Sequence, residues 1–242
     1  MARAKAATRH YRLFVDQELA SGLTLAVDKD DSHYLIRVLR LKAGDRVGLV
    51  NGAYGEWTGR IVDANAKAVV FEIEALVRAA APCPPLSLAF APLRKERLEW
   101  LIEKGTELGV TQFQPIITDY TQHERFRADR LERIAKEAAE QCERLDLPTI
   151  AEPLAFDGWL KALERPVAVA LERFEQHEHY EGAKPDQLLI GPEGGFSPKE
   201  RDSLLAHPRV QPISLGARLL RAETAAVVGL ALLALDSSAP NP

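Results

Sequence analysis

The sequence predicts an α/β protein built in two parts, a small N-terminal β-barrel followed by a mainly parallel sheet covered by helices. Three observations predict it. From Leu13 to about Leu76 the apolar residues come in short β-like runs; past the Ala- and Pro-rich stretch Ala79 to Pro85, apolar runs alternate with helical patterns; and two glycine segments stand between a strand and a helix start. An all-β stretch is expected to close on itself to hide its strand edges, whereas strand–helix alternation favours parallel pairing with both faces covered. The expected domains are therefore residues 1–78 and 79–242.

In the first part the strands are Leu13 to Val15, Leu23 to Val27, Asp45 to Val50, Glu56 to Val62 and Ala68 to Ile73, punctuated by the turn formers Asn51-Gly52 and Gly55. One helix interrupts them. Ser32 offers a cap, Tyr34, Leu35, Val38 and Leu39 recur at helical spacing, and Arg37 and Arg40 fall one turn apart on another face.

In the second part the strands are Leu86 to Phe90, Phe113 to Thr118, Val167 to Leu171, Leu188 to Ile190 and Val210 to Leu215. Leu98, Leu101, Ile102 and Leu108 form a helical stripe ending at Gly109, and Leu131, Ile134, Ala135, Ala138, Cys142 and Leu145 form another ending before Pro148. Ser197-Pro198-Lys199-Glu200 has the capping-box spacing with proline at the first helical position. The nearly all-apolar Ala225 to Leu235 must be buried on most sides, and a second copy of the chain is the economical cover.

At 46% hydrophobic and 27% charged, the 242 residues suit folded domains and exclude disorder or fibre. The longest apolar run, Ala225 to Leu235, is too short to cross a bilayer, so a soluble cytoplasmic protein with no membrane partner is expected. Cys83 reads as a loop thiol and Cys142 as a buried small hydrophobe; neither has metal-ligand spacing, His177 and His179 read as solvated loop, and neither a metal nor a disulfide is expected. The net charge of -4 is uneven: residues 1–80 hold 12 Lys+Arg against 10 Asp+Glu, leaving 19 against 25 for the remainder. The positive charge sits at the front, where RNA contact would be placed.

The two glycine segments are Ile190-Gly191-Pro192-Glu193-Gly194-Gly195-Phe196-Ser197 and Leu215-Gly216-Ala217-Arg218-Leu219-Leu220-Arg221-Ala222-Glu223-Thr224. Glycine at the carboxyl end of a strand lets backbone approach a ligand closely. The chain has neither the G-x-G-x-x-G of dinucleotide folds nor the G-x-x-x-x-G-K-[ST] of phosphate loops, so the residues alone point to a ligand site of unstated type.

In this order and spacing the pair resembles the cofactor loops of the SPOUT (trefoil-knot) RNA methyltransferases, and I-G-P-E-G-G followed by L-G-x-R-x-L-R-x-E-T is similar to the branch of 16S ribosomal RNA (uracil-N3)-methyltransferases. Weaker likeness runs through Leu35-Ile36-Arg37-Val38-Leu39-Arg40, Glu103-Lys104-Gly105-Thr106-Glu107-Leu108-Gly109-Val110 and Glu140-Gln141-Cys142, so it covers most of the chain. One departure is Glu143, which stands where this family often has glycine.

The resemblance implies a PUA-like RNA-binding barrel, a C-terminal SPOUT α/β-knot domain and a homodimer that acts on 16S ribosomal RNA in the small subunit. It also implies S-adenosyl-L-methionine held by three loops. Carried over, these are Leu171 and Glu172; Ile190, Gly191, Pro192, Glu193, Gly194 and Gly195; and Ile213, Ser214, Leu215, Gly216, Leu219, Leu220 and Arg221. In catalysis, Arg221 would stabilise charge growing on the uracil, while Glu223 or Glu193 would accept a proton or merely cap a helix or pair with an arginine. RNA contact would fall to Arg12, Arg37 and Arg40, with Arg9 and His10 nearby; Arg144 would join them, or else complement its helix end and pair with Glu140. A SPOUT ribose 2′-O-methyltransferase would be expected to carry an asparagine and serines in the third loop, and a non-catalytic assembly factor would not need intact glycines in both.

Overall fold

The computed structural model describes residues 11–122, 127–171 and 185–235. The chain divides into two compact units, Met1–Pro82 with Ala139–Leu147, and Cys83–Ala138 with Pro148–Pro242. The sequence predicts contiguous parts, whereas residues 139–147 return to the first unit. Side chains hold them there: Arg12 Nη2 donates to the Arg144 carbonyl at 2.8 Å, Arg78 Nη2 donates to that of Glu143 at 2.8 Å, and Phe14, Val50, Ala139 and Leu145 share one small apolar cluster.

The first unit is a five-stranded sheet of β1 (Arg12–Phe14), β2 (Thr24–Ala26), β3 (Arg46–Asn51), β4 (Gly55–Asn65) and β5 (Ala68–Arg78), paired in the order β1-β3-β4-β5-β2. Only β1–β3 is parallel. The long β4–β5 ladder shifts register three times, and such bulges bend a sheet around its core, here Leu13, Leu25, Leu35, Leu49, Ile61 and Phe71. The helix α1 (Lys29–His33) is capped by Asp28, whose Oδ1 accepts from the Asp31 amide at 2.8 Å. Ser32, expected to cap it, lies inside: it is buried, and its hydroxyl accepts from the Val69 amide at 2.8 Å. The chain continues as a π-helical turn over Tyr34–Val38, with Leu35 buried and Tyr34 and Val38 exposed, and Arg40 then takes a positive φ of 58°.

The second unit carries β6 (Ser87–Phe90), α2 (Lys95–Glu107), β7 (Gln112–Ile117), α3 (Ala128–Gln141), β8 (Thr149–Ile150), β9 (Leu154–Ala155), α4 (Phe156–Lys161), β10 (Val167–Ala170), β11 (Gln187–Ile190), α5 (Pro198–Ala206), β12 (Val210–Ile213) and α6 (Ala222–Leu235), with the end of α3 passing into the first. The strands run β12-β10-β11-β6-β7-β8, with β9 also on β7, and every ladder is parallel. Side chains alternate between two cores, as the strand period requires. Leu88, Phe90, Ala168, Leu188 and Ile190 join the core of α2, α3 and α6, whereas Ala89, Val167, Val169 and Leu189 join that of α4 and α5. β8, β9 and α4 are absent from the sequence prediction because they are too short to show a period.

One predicted burial needs correction. The helix ends at Gln141 and Glu143 turns the chain with φ 62°, so Cys142 sits past the last helical turn and is exposed. α6 begins at Ala222 and buries Ala226, Leu230 and Leu233, while Leu232 is 49% exposed.

Candidate functional site

Because every strand of the second sheet is parallel, all their carboxyl ends lie on one edge. The chain enters at β6, adds β7 and β8 on one side, and then returns to build β11, β10 and β12 on the other. The direction reverses between β6 and β11, and there an open parallel sheet offers a crevice for a ligand. Residues 191–197 leave β11 at this edge, and residues 214–221 leave its near neighbour β12. Buried Leu171 closes β10 between them, donating its amide to the Ile213 carbonyl at 3.4 Å; Glu172 lies outside the described residues, as do His177 and His179.

The glycines serve different purposes. Gly195 closes a turn, its amide donating to the Pro192 carbonyl at 2.9 Å, and adopts φ 72°; Gly216 adopts φ 102°. Both lie in the left-handed region, and an added Cβ would meet nothing within 4 Å. Gly191 instead makes room for a neighbour, since a Cβ there would stand 2.9 Å from the Phe196 ring. At Gly194 a Cβ would make only an ordinary 3.5 Å contact with Tyr120. Ile190 is buried, Ile213, Ser214, Leu215 and Leu220 are half-buried, and Leu219 is exposed.

Arg97, in the first turn of α2, joins the two loops. Its Nη1 donates to Glu193 Oε1 at 3.4 Å, and its Nε lies 3.6 Å from Glu223 Oε1. The Glu223 side chain is only 13% exposed, and its second oxygen, Oε2, is buried with no hydrogen-bond donor among the described residues. Arg221 is exposed, and its guanidinium has no partner among the described residues. Glu193 and Glu223 are thus brought together through a residue the sequence did not single out.

A second network fixes the neighbouring loop after β7. The capping box of α5 forms as predicted: Ser197 Oγ accepts from the Glu200 amide at 3.3 Å, and Glu200 Oε2 accepts from the Ser197 amide at 2.9 Å. Glu200 Oε1 also accepts from the Asp119 amide at 2.8 Å, and Ser197 Oγ donates to Asp119 Oδ2 at 2.5 Å. Half-exposed Tyr120 is thereby held against Gly194. One signal for Tyr120 was available, since it lies just past the end of a predicted strand, whereas Arg97 falls inside the helix that follows one.

The arginines predicted for RNA divide in two. Arg37 and Arg40 are exposed and have no partner among the described residues. Arg12 is committed elsewhere: its side chain is 4% exposed, Nε donates to Glu56 Oε1 at 3.0 Å, and Nη2 donates to the Arg144 carbonyl. Arg144 pairs with Asp146 at 2.6 Å and is also almost wholly buried. In this conformation both side chains are engaged within the first unit. Arg9 and His10 lie outside the described residues.

Among the described residues there is no group of three or more His, Cys, Asp or Glu able to hold a metal ion, and no helix is long and apolar enough to cross a membrane.

Residues 80–234 match the RNA methyltransferase domain family, and residues 27–74 match the RNA methyltransferase PUA domain. The chain belongs to this family of RNA methyltransferases. It is 30% identical over 241 residues to the ribosomal RNA small subunit methyltransferase E of Rickettsia conorii, spanning 95% of this chain and 97% of that one. To the protein of the same name from Synechocystis sp. it is 37% identical over 234 residues, spanning 91% and 76%. Among solved structures, the Legionella pneumophila protein Lpg2936, in complex with the bound cofactor SAM, is 29% identical with a TM-score of 0.85, spanning 95% of this chain and 98% of that one. A ribosomal RNA small subunit methyltransferase E from Neisseria gonorrhoeae, bound to S-adenosyl methionine, shares the fold with a TM-score of 0.85 at 22% identity, spanning 95% and 100%. The family and its PUA-like plus α/β architecture are those expected from the glycine segments.

Proposed function

We propose that the protein transfers a methyl group from S-adenosyl-L-methionine to N3 of a uridine in small-subunit ribosomal RNA. The observation that carries this reading is a pair of glycine loops on the carboxyl edge of a parallel sheet, beside its reversal point and linked through Arg97, in a chain of the RNA methyltransferase family. The residues suit that cofactor: the loops offer backbone at Gly194, Gly195 and Gly216, where little side-chain bulk intervenes. The small-subunit RNA target rests on the relatives of known name, and N3 on the likeness of the loop sequences to the uracil-N3 branch.

When bound, the cofactor supplies an electrophilic methyl: an N3–C bond forms as the C–S bond breaks, and its electron pair leaves with sulfur. What remains for the chain is to hold the reactants in line, remove the N3 proton and balance charge on the ring. Leu171, Glu172, Ile190 to Gly195, Ile213 to Gly216, Leu219, Leu220 and Arg221 would hold the cofactor. The free guanidinium of Arg221 suits the growing charge on the uracil oxygens. Glu193 and Glu223 are the carboxylates available for the proton. Arg37 and Arg40, within residues 1–80 where Lys and Arg outnumber Asp and Glu, would grip phosphate. The homodimer, the knot and a cytoplasmic site of action complete the reading.

The test is to incubate the purified protein with S-adenosyl-L-methionine and small ribosomal subunits lacking the modification, then to analyse the RNA nucleosides by mass spectrometry. N3-methyluridine is expected; a ribose-methylated product would overturn the reading in favour of the 2′-O chemistry.

A further inference from the structure

We infer that Glu223 Oε2 is the proton acceptor and that Arg97 is the positioning residue that presents it. The inference rests on the functional reading above and chooses between the two carboxylates it leaves open. Glu193 and Glu223 both lean on the Arg97 guanidinium, but they differ in surroundings. The Glu193 side chain is 32% exposed and its free oxygen can be satisfied by water. Glu223 is 13% exposed, with Oε1 facing Arg97 Nε and Oε2 buried without a donor among the described residues.

Buried polar atoms are almost always paired, so an acceptor left bare beside a ligand loop indicates a donor that arrives with the ligand. The imide N3–H of uracil is such a donor. As N3 takes the methyl group, its proton passes to Glu223 Oε2 and is later released to water, leaving the ring neutral. Arg97 acts from Oε1: the charge of its guanidinium, 3.6 Å away, draws that oxygen toward itself and so biases the carboxylate's rotation, leaving Oε2 for the donor. It also lies in the first turn of α2, the helix that follows β6, on the far side of the reversal point from the glycine loops, and so ties both sides of the crevice together.

The experiment is a double-mutant cycle on single-turnover methyl transfer, with cofactor affinity measured by calorimetry and folding by thermal melting. Glu223→Gln, close to isosteric, should lower the rate by on the order of a hundredfold, as loss of a general base does, with cofactor affinity changed little. Arg97→Ala should lower it by roughly tenfold to a hundredfold, the scale of a misplaced catalytic group, and Arg97→Lys should recover only part because it lacks the fork. The two losses in rate should combine to much less than their product, because Arg97 acts on the rate through Glu223, while its contact with Glu193 is read separately in cofactor affinity. Fully multiplicative losses, or a Glu223→Gln rate near that of the wild type, would overturn the assignment. A fall in rate for Arg97→Ala that tracks a fall in melting temperature, and that Arg97→Lys cures completely, would also overturn it by making the arginine merely structural. A wild-type protein that binds the cofactor yet forms no N3-methyluridine would overturn the functional reading itself, and this inference with it.

Discussion

Arg12 and Glu56 form a nearly dry ion pair inside the first unit, with Nε donating to Oε1 at 3.0 Å and side chains 4% and 10% exposed. Arg78 approaches the other carboxylate oxygen, its Nε donating to Oε2 at 2.7 Å, and Gly48 leaves the space, since a Cβ there would stand 2.8 Å from Glu56 Oε1. Burial pushes the Glu56 carboxyl up, but hydrogen bonds from Arg12 and Arg78 and their charges outweigh it and hold the group below its ordinary value of 4.5.

Glu56→Gln would strand the buried Arg12 charge and should destabilise the protein by about 3–5 kcal/mol. The pH dependence follows from the sign of the shift. A carboxyl whose folded pKa lies below its unfolded one contributes fully above the unfolded value and loses that contribution as pH falls through the folded one. The gap in melting temperature between wild type and Glu56→Gln should therefore be widest above pH 4.5 and shrink in more acid solution. A gap that stays constant down to strongly acid pH would contradict this account.

Glu143 occupies the left-handed region, φ 62°, which favours glycine. Glu143→Gly should relieve strain worth roughly 1 kcal/mol and raise the melting temperature by a few degrees, although glycine loses more entropy on folding. Chemical denaturation gives the free energy directly, and a destabilised variant would show that the turn costs glutamate nothing.

Gly194 and Gly191 should respond differently to substitution. A Cβ at Gly194 meets only an ordinary contact with Tyr120, so Gly194→Ala should keep wild-type stability and weaken S-adenosyl-L-methionine binding if the loop lies against the ligand. Gly191→Val would drive into the Phe196 ring and should lower stability as well as binding. Calorimetry paired with melting curves separates the cases, and unchanged affinity in Gly194→Ala would remove that residue from the cofactor site.

Arg37 and Arg40 are free to meet phosphate, whereas Arg12 and Arg144 are committed within the first unit. Alanine at both Arg37 and Arg40 should reduce RNA affinity and flatten its dependence on salt concentration, with cofactor affinity unchanged. Filter binding across a salt series tests this, and an unaltered slope would make them ordinary surface charges.

Much of the fold was legible in the sequence because it rests on local periodicity. The change from β-only runs to strand–helix alternation marked the two parts, the stripes of α2 and α3 gave their buried faces, and Ser197 to Glu200 announced the start of α5. The cofactor loops were legible for a similar reason, since glycine spacing at strand ends is written within a few residues.

By itself, then, the sequence determined the family, the order of the longer elements and the two glycine loops, all of which depend on neighbours along the chain. Tertiary structure alone decided which charges are available for chemistry. Arg12 and Arg37 look alike as a sequence, yet one is buried against a carboxylate 44 positions away and the other faces solvent. Arg97 meets Glu193 across 96 positions, a pairing that no periodicity encodes. Long-range ion pairs arise where sheet order brings strand ends together, so their members become visible only once the chain has folded.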